Sequence, residues 1–140
     1  MEEAANTIIL LVLGMHAQMD VRKRQISLAL TAVFAGLGIG FHFAVGTFCL
    51  AEFLLAMIPG GLLVVTGFIT QGKVGYGDGL LLLSLGSWMN VEEILWLLVT
   101  ALLFCSAFCG IRMAAGKLKK QDSVPFVPFL LVCFAGRLCL

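Results

Sequence analysis

Two aspartates lie where a charged side chain is unusual, because each borders an apolar run. Asp20 ends the run that begins near residue 4, and Asp78 precedes the leucines at 80–83. Ionisable groups at the edge of a membrane segment are costly and usually face a bundle interior or a cavity. Two carboxyls that converge cannot both ionise easily, so they share one proton. One can then act as a base towards a water molecule while the other acts as an acid towards a carbonyl oxygen. This chemistry needs no metal ion or other cofactor, and we expect none.

Each acid also has a simpler interpretation. Asp20 stands beside the basic residues at 22–24 and could be a salt-bridge partner at the membrane surface, while Asp78 could be a helix N-cap. The residues before Asp78 favour the catalytic interpretation. Gly75 and Gly77 accept backbone torsions that other residues resist, and they let an extended peptide lie close to the acid.

The composition indicates which elements must position these acids. Of 140 residues, 61% are hydrophobic and 12% are charged, with a mean hydropathy of +1.07. A soluble domain usually carries about 25% charged residues, so the sequence predicts a membrane protein. The apolar runs predict an all-α bundle of about six transmembrane helices, at residues 4–19, 26–46, 49–70, 79–89, 94–113 and 124–140. The fourth is short for a hydrocarbon core of about 30 Å, and Pro59 followed by two glycines predicts that the third is kinked or broken.

The distribution of basic residues predicts the orientation. With the N-terminus outside and six crossings, Arg137 alone of the nine basic residues lies outside. The positive-inside rule then places the loops that hold the others, and with them both aspartates, at the cytoplasmic face of the plasma membrane. These inner residues are Arg22, Lys23, Arg24, Lys73, Arg112, Lys117, Lys119 and Lys120.

Other side chains receive interpretations without a direct part in catalysis. His16 precedes Asp20 by four residues, on the same helix face, and could tune its proton affinity. Trp88 and Trp96 flank an acidic loop, which is typical of an aromatic belt at the outer interface. The five cysteines lie in apolar context without a C-x-x-C pair, which favours small buried hydrophobes over a metal site. Small residues at 32, 36 and 40 predict close packing of the second helix, within the chain or in a dimer.

Four segments together resemble the prepilin and preflagellin peptidases, which are membrane aspartic proteases of the G-x-G-D type. Residues 19–26 are similar to their first-aspartate segment, and residues 75–78 match the second-aspartate motif. Residues 82–89 are similar to the small-residue helix that follows, and residues 124–130 to the start of the last helix. The resemblance implies that Asp20 and Asp78 are the catalytic pair, and that Gly75, Tyr76, Gly77 and Gly79 form the active-site loop.

The resemblance also implies a substrate and a domain organisation. The substrate would be a type IV pilin-like precursor with a basic leader, a cleavage site beside a glycine and then a hydrophobic helix. We expect a single membrane-embedded peptidase domain over residues 1–140, as in short members without the N-terminal zinc- and methylation-associated domain. The lipid bilayer is the other expected partner and nucleic acid is not. The oligomeric state and the choice of base between the two aspartates stay open.

Two positions depart from the family pattern. Ser27 stands where members usually have proline, and Leu80 where many have lysine. Lys73 could supply the missing charge. These departures keep open an alternative, a non-catalytic assembly or transport protein on a degenerate protease scaffold. A presenilin-like intramembrane protease, which shares G-x-G-D, is a further alternative, but Asp20 lies at the end of a span rather than in its middle.

Overall fold

The computed structural model describes residues 2–23, 27–71, 76–117 and 124–139. They form six helices, α1 (Glu2–Lys23), α2 (Leu28–Val45), α3 (Leu50–Ile69), α4 (Tyr76–Gly86), α5 (Val91–Ala114) and α6 (Val127–Cys139). The described ranges contain no strand, and the predicted all-α architecture is confirmed. Helices α1, α2, α3 and α5 are long and apolar enough to cross a membrane. Helix α4 has 11 residues and a length of about 16 Å, about half the thickness of the hydrocarbon core.

The helices alternate in direction along the chain. A cavity of about 590 Å³ opens at one end of the bundle, which we call the Glu2 end. Residues from the first turns of α1, α3 and α5, the last turns of α2 and α6 and the turn after α4 line it, among them Glu2, His42, Glu52, Asn90, Glu93 and Arg137. Arg137 also forms an ion pair with Glu93 at this end. The opposite ends of these helices, including the end of α1 that carries Asp20, therefore lie together at the other end of the bundle.

Helix α3 continues through Pro59, so of the two predicted alternatives the break does not occur, while the kink stays a prediction. Proline has no N–H for the helical hydrogen bond and normally disturbs a helix interior. Both Pro59 and Gly60 are buried, and Gly60 lies on the face that packs against α4. A methyl group on Gly60 would lie 2.5 Å from the backbone nitrogen of Leu83. This helix pair is therefore held at a distance that only glycine allows.

Five of the helices form two packing groups. Helix α4 packs most extensively on α3 and also on α2, whereas α6 packs on α1. Helix α5 packs on both groups and joins them, while α1 and α2 have little or no backbone contact with each other. A shared core of buried residues, among them Leu13, Phe34, Leu85, Ile94 and Leu130, fills the space between them.

Three expectations about individual residues are corrected by this packing. Trp88 is not an interfacial residue: it is buried, it stacks on Phe34 and Phe41, and its Nε1 donates to the Phe34 carbonyl at 2.9 Å. Gly36 and Gly40 are exposed, and a methyl group on either would meet no atom within 4 Å, so they do not pack within the chain. The five cysteines are half-buried or exposed rather than buried in the bundle.

Candidate active site

Asp20 is the last residue on the buried face of α1. This face follows helical spacing and comprises Ile9, Leu13, His16, Ala17 and Asp20. The aspartate is 9% exposed, and its Oδ2 accepts a hydrogen bond of 3.3 Å from the backbone nitrogen of Val127. An acid so close to the end of a membrane helix is thus turned inward and tied to the protein backbone.

The donor to Asp20 belongs to the first turn of α6. Val127 is the first residue of that helix, and Pro128, which has no N–H, is the second. The first N–H groups of a helix have no partner within it, and they attract negative charge. The prediction that the segment at 124–130 begins the last helix is confirmed. Sequence reasoning missed that its free N–H meets Asp20, because a backbone donor leaves no residue-specific signal.

Asp78 is the third residue of α4 and lies outside the four helices that are long enough to cross a bilayer. It is half-buried. Helix α4 brings it into place by packing against α3, where a methyl group on Gly79 would lie 2.7 Å from the backbone nitrogen of Val64. Burial raises the pKa of the Asp78 carboxyl to about 7, and the negative charge of Asp20 contributes to the increase.

The two aspartates therefore lie at the same end of the bundle and interact electrostatically. They come from different packing groups, since Asp20 is on α1 and Asp78 is on α4. The half-buried carboxyl of Asp78 therefore lies within electrostatic range of the buried carboxyl of Asp20.

The residues predicted to form a loop beside Asp78 are in part helical. Tyr76, Gly77 and Gly79 belong to α4, and Gly79 is buried against α3 rather than open to a substrate. The loop prediction is therefore wrong for these three residues, because α4 already begins at Tyr76 and its close approach to α3 requires the glycine at 79. Gly75 and Lys73 lie outside the described residues.

His16 is fully buried, and its ring forms hydrogen bonds with residues other than Asp20. Its Nδ1 donates to the Val12 carbonyl at 2.9 Å, and its Nε2 lies 3.0 Å from the hydroxyl of Thr31 on α2. The hydrogen bonds of the ring thus connect α1 to α2. The predicted tuning of Asp20 by His16 gains no support from these two bonds.

Ser27, which departs from the family pattern, has a clear structural role. It is the N-cap of α2, and its hydroxyl accepts a hydrogen bond of 3.4 Å from the backbone nitrogen of Leu30. Serine at the N-cap and proline at the first helical position both favour the start of a helix. Serine at position 27 therefore preserves the start of α2, and its presence in place of proline gives little reason to regard the scaffold as degenerate.

In the described part of the chain, no group of three or more histidine, cysteine, aspartate or glutamate side chains could hold a metal ion. Asp20 and Asp78 are acidic side chains of α1 and α4 at this end of the bundle. A backbone N–H orients one of them, and apolar helices surround both.

The fold and the site define a class: an α-helical membrane protein with a pair of interacting carboxyls at one end of its bundle. The chain matches the model of the type IV leader peptidase family over residues 7–114, and it belongs to that family. The resemblance to the prepilin peptidases is thereby confirmed. Both aspartates lie within the matched range, whereas α6 follows it. No curated protein and no solved structure matches the chain.

Proposed function

We propose that this protein is a membrane aspartic endopeptidase that cleaves the leader peptides of type IV pilin-like precursors. The observation that carries the proposal is that Asp20, which is buried and held by the Val127 N–H, and Asp78, in the first turn of α4, lie at the same end of the bundle. Family membership supports the peptidase activity. The basic leader and the hydrophobic helix of the substrate are taken from the resemblance, and the apolar bundle surface suits such a helix.

The raised pKa of Asp78 suggests the division of roles. With a pKa of about 7, Asp78 retains its proton below neutral pH. In the proposed reaction, Asp20 takes a proton from a water molecule as that water attacks the scissile carbonyl carbon, and Asp78 gives its proton to the carbonyl oxygen. The tetrahedral intermediate then collapses: one of its hydroxyl groups returns a proton to Asp78 as the new carboxyl group forms, the C–N bond breaks, and the departing amine receives the proton held by Asp20. The Val127 N–H would keep the Asp20 carboxylate oriented through these steps.

We place the site at the cytoplasmic face. Basic residues that end α1 and α5, namely Arg22, Lys23 and Arg112, lie at the same end of the bundle as Asp20. Arg137 lies at the Glu2 end, where it is paired with Glu93. This distribution follows the positive-inside rule and supports cleavage on the inner side of the membrane.

The direct test removes one carboxyl at a time. We expect Asp20→Asn and Asp78→Asn each to abolish cleavage of a co-expressed precursor, measured as a mobility shift on a gel, while the protein still inserts in the membrane. Glu92→Gln is the matched control, because it makes the same chemical change at the Glu2 end, on an exposed residue. Complete processing by either aspartate variant would exclude the proposed pair. No processing by the wild-type protein of any pilin-like precursor would favour a non-catalytic member of the family.

A further inference from the structure

Because the two aspartates belong to different packing groups, their separation depends on how the groups are held together. Asp20 is on α1, which packs on α6, and Asp78 is on α4, which packs on α3 and α2. Helix α5 packs on both groups, whereas α1 and α2 have little or no backbone contact with each other. Near Asp20, the position of α1 relative to the second group must therefore depend on side chains.

The hydrogen bond between His16 and Thr31 is a side-chain link in that place. His16 lies one helical turn from Asp20 and is fully buried, and Thr31 is 6% exposed. Their polar atoms, Nε2 and Oγ1, are 3.0 Å apart. In a buried apolar setting such a bond is costly to break, since each partner would be left as an unpaired buried polar group. The bond therefore joins the two helices directly, at a depth where little else can substitute for it.

Both partners of this bond are fixed by their own helices. The Val12 carbonyl accepts from Nδ1 of His16 at 2.9 Å, so Nε2 is the ring atom that faces the Thr31 hydroxyl. The Thr31 hydroxyl lies 2.8 Å from the carbonyl of Ser27, the N-cap of α2, and its single proton can go either there or to His16. The link therefore joins the α1 turn before Asp20 to the first turn of α2.

We propose that His16 and Thr31 are positioning residues, which set the distance of Asp20 from Asp78 by fixing α1 against α2. The inference rests on the proposed function for its catalytic consequence, but the distance between the groups can be measured without it. His16 acts here through helix position rather than through direct contact with the reacting atoms.

The test replaces the hydroxyl without changing the size of the side chain. Thr31→Val removes the link, and Thr31→Ser retains it. We expect Thr31→Val to lower kcat by about 10- to 100-fold, since a displacement of about 1 Å can cost that much. KM should change less than about twofold, because the surface that binds the hydrophobic helix of the precursor is unaltered. Thr31→Ser should restore kcat.

A distance measurement separates this role from general destabilisation. Spin labels at Val21 and Ile69, which are 60% and 72% exposed, would report on α1 against α3 in a cysteine-free background. We expect Thr31→Val to shift or broaden the distance distribution, and Thr31→Ser to match the parent protein. His16→Phe, which keeps a ring but has no polar atom, should reproduce the effect of Thr31→Val, and the double variant should be no worse than the poorer single variant. If Thr31→Val fails to accumulate, His16→Phe carries the same comparison.

The outcomes are distinguishable from failure of the proposed function. An unchanged distance distribution overturns the positioning role, whatever the activity. A changed distribution with unchanged kcat also overturns it, because Asp20 would then not depend on the link. If the parent protein cleaves no precursor while the distances still respond to Thr31→Val, the peptidase proposal fails and the structural link stands.

Discussion

The close backbone approach of α3 and α4 predicts that adjacent glycines respond in opposite ways to the same substitution. On Gly60, a methyl group would lie 2.5 Å from the Leu83 nitrogen and 3.0 Å from the Gly79 carbonyl oxygen. On Gly61, nothing lies within 4 Å. Both residues are interior to α3, so the two variants differ in packing and share the same change in chain flexibility.

The magnitude for Gly60→Ala follows from the overlap. Ordinary contact begins at 3.4 Å, so α4 must retreat from α3 by about 0.9 Å, the difference between 3.4 and 2.5 Å. Backbone atoms cannot rotate away as a side chain can. Overpacking of this kind costs about 1–3 kcal/mol, and Asp78 at the start of α4 moves with the helix. A shift of about 1 Å at a reacting group can lower the rate by about 100-fold. Gly61→Ala should instead stabilise the helix by up to about 1 kcal/mol and leave the rate unchanged.

Two measurements check this pair of variants. Thermal unfolding in detergent compares their stability with that of the parent protein, and precursor cleavage compares their kcat. We expect Gly60→Ala to lose both stability and rate. If Gly60→Ala and Gly61→Ala behave alike, then α3 and α4 are not packed at the distance described, and the placement of Asp78 beside Asp20 loses its support.

Two further predictions concern the pH profile and the contact between α2 and the turn after α4. The proposed acid Asp78 has a raised pKa of about 7 and acts in its protonated form. The value of kcat/KM should therefore fall as the pH rises through about 7. A kcat/KM that stays constant from pH 6 to about pH 9 would contradict the role of Asp78 as the acid. Trp88→Phe should keep the ring stack but lose the donor to the Phe34 carbonyl, which leaves a buried acceptor unpaired and lowers stability by about 1–3 kcal/mol in thermal unfolding. An unaltered melting temperature would show that this hydrogen bond contributes nothing.

The elements of this fold can be predicted because the apolar runs and their punctuation are local features. All six predicted spans overlap the helices α1 to α6, and the two aspartates stand out because a charge at the edge of an apolar run is costly. The substitution of Ser27 for the family proline cannot be interpreted from the sequence alone. Its meaning depends on a hydroxyl placed 3.4 Å from the Leu30 nitrogen.

Prediction fails where the partner of a residue lies far away along the chain. The small-residue pattern points to Gly36 and Gly40, but the glycine that accepts a neighbour is Gly38, where a methyl group would meet Ser87 and Trp88. Two residues correspond to about 200° around a helix, so Gly38 faces almost the opposite side. Helical periodicity identifies faces but does not say which face a bulky side chain from another helix will occupy. The same limit explains why the sequence wrongly favours the membrane interface for Trp88.

The placement of both aspartates depends chiefly on backbone contacts. Asp20 is held by the Val127 N–H, and Asp78 is carried by a helix whose distance from α3 is set by the glycines at 60 and 79. Such backbone contacts tolerate little added volume or displacement, because backbone atoms cannot move away by changing rotamer as side chains can. Substitutions at these positions should therefore reduce the rate at a smaller loss of stability than substitutions in the apolar core, where neighbouring side chains can repack. A site built in this way depends on the small residues at 60 and 79 as well as on its acids.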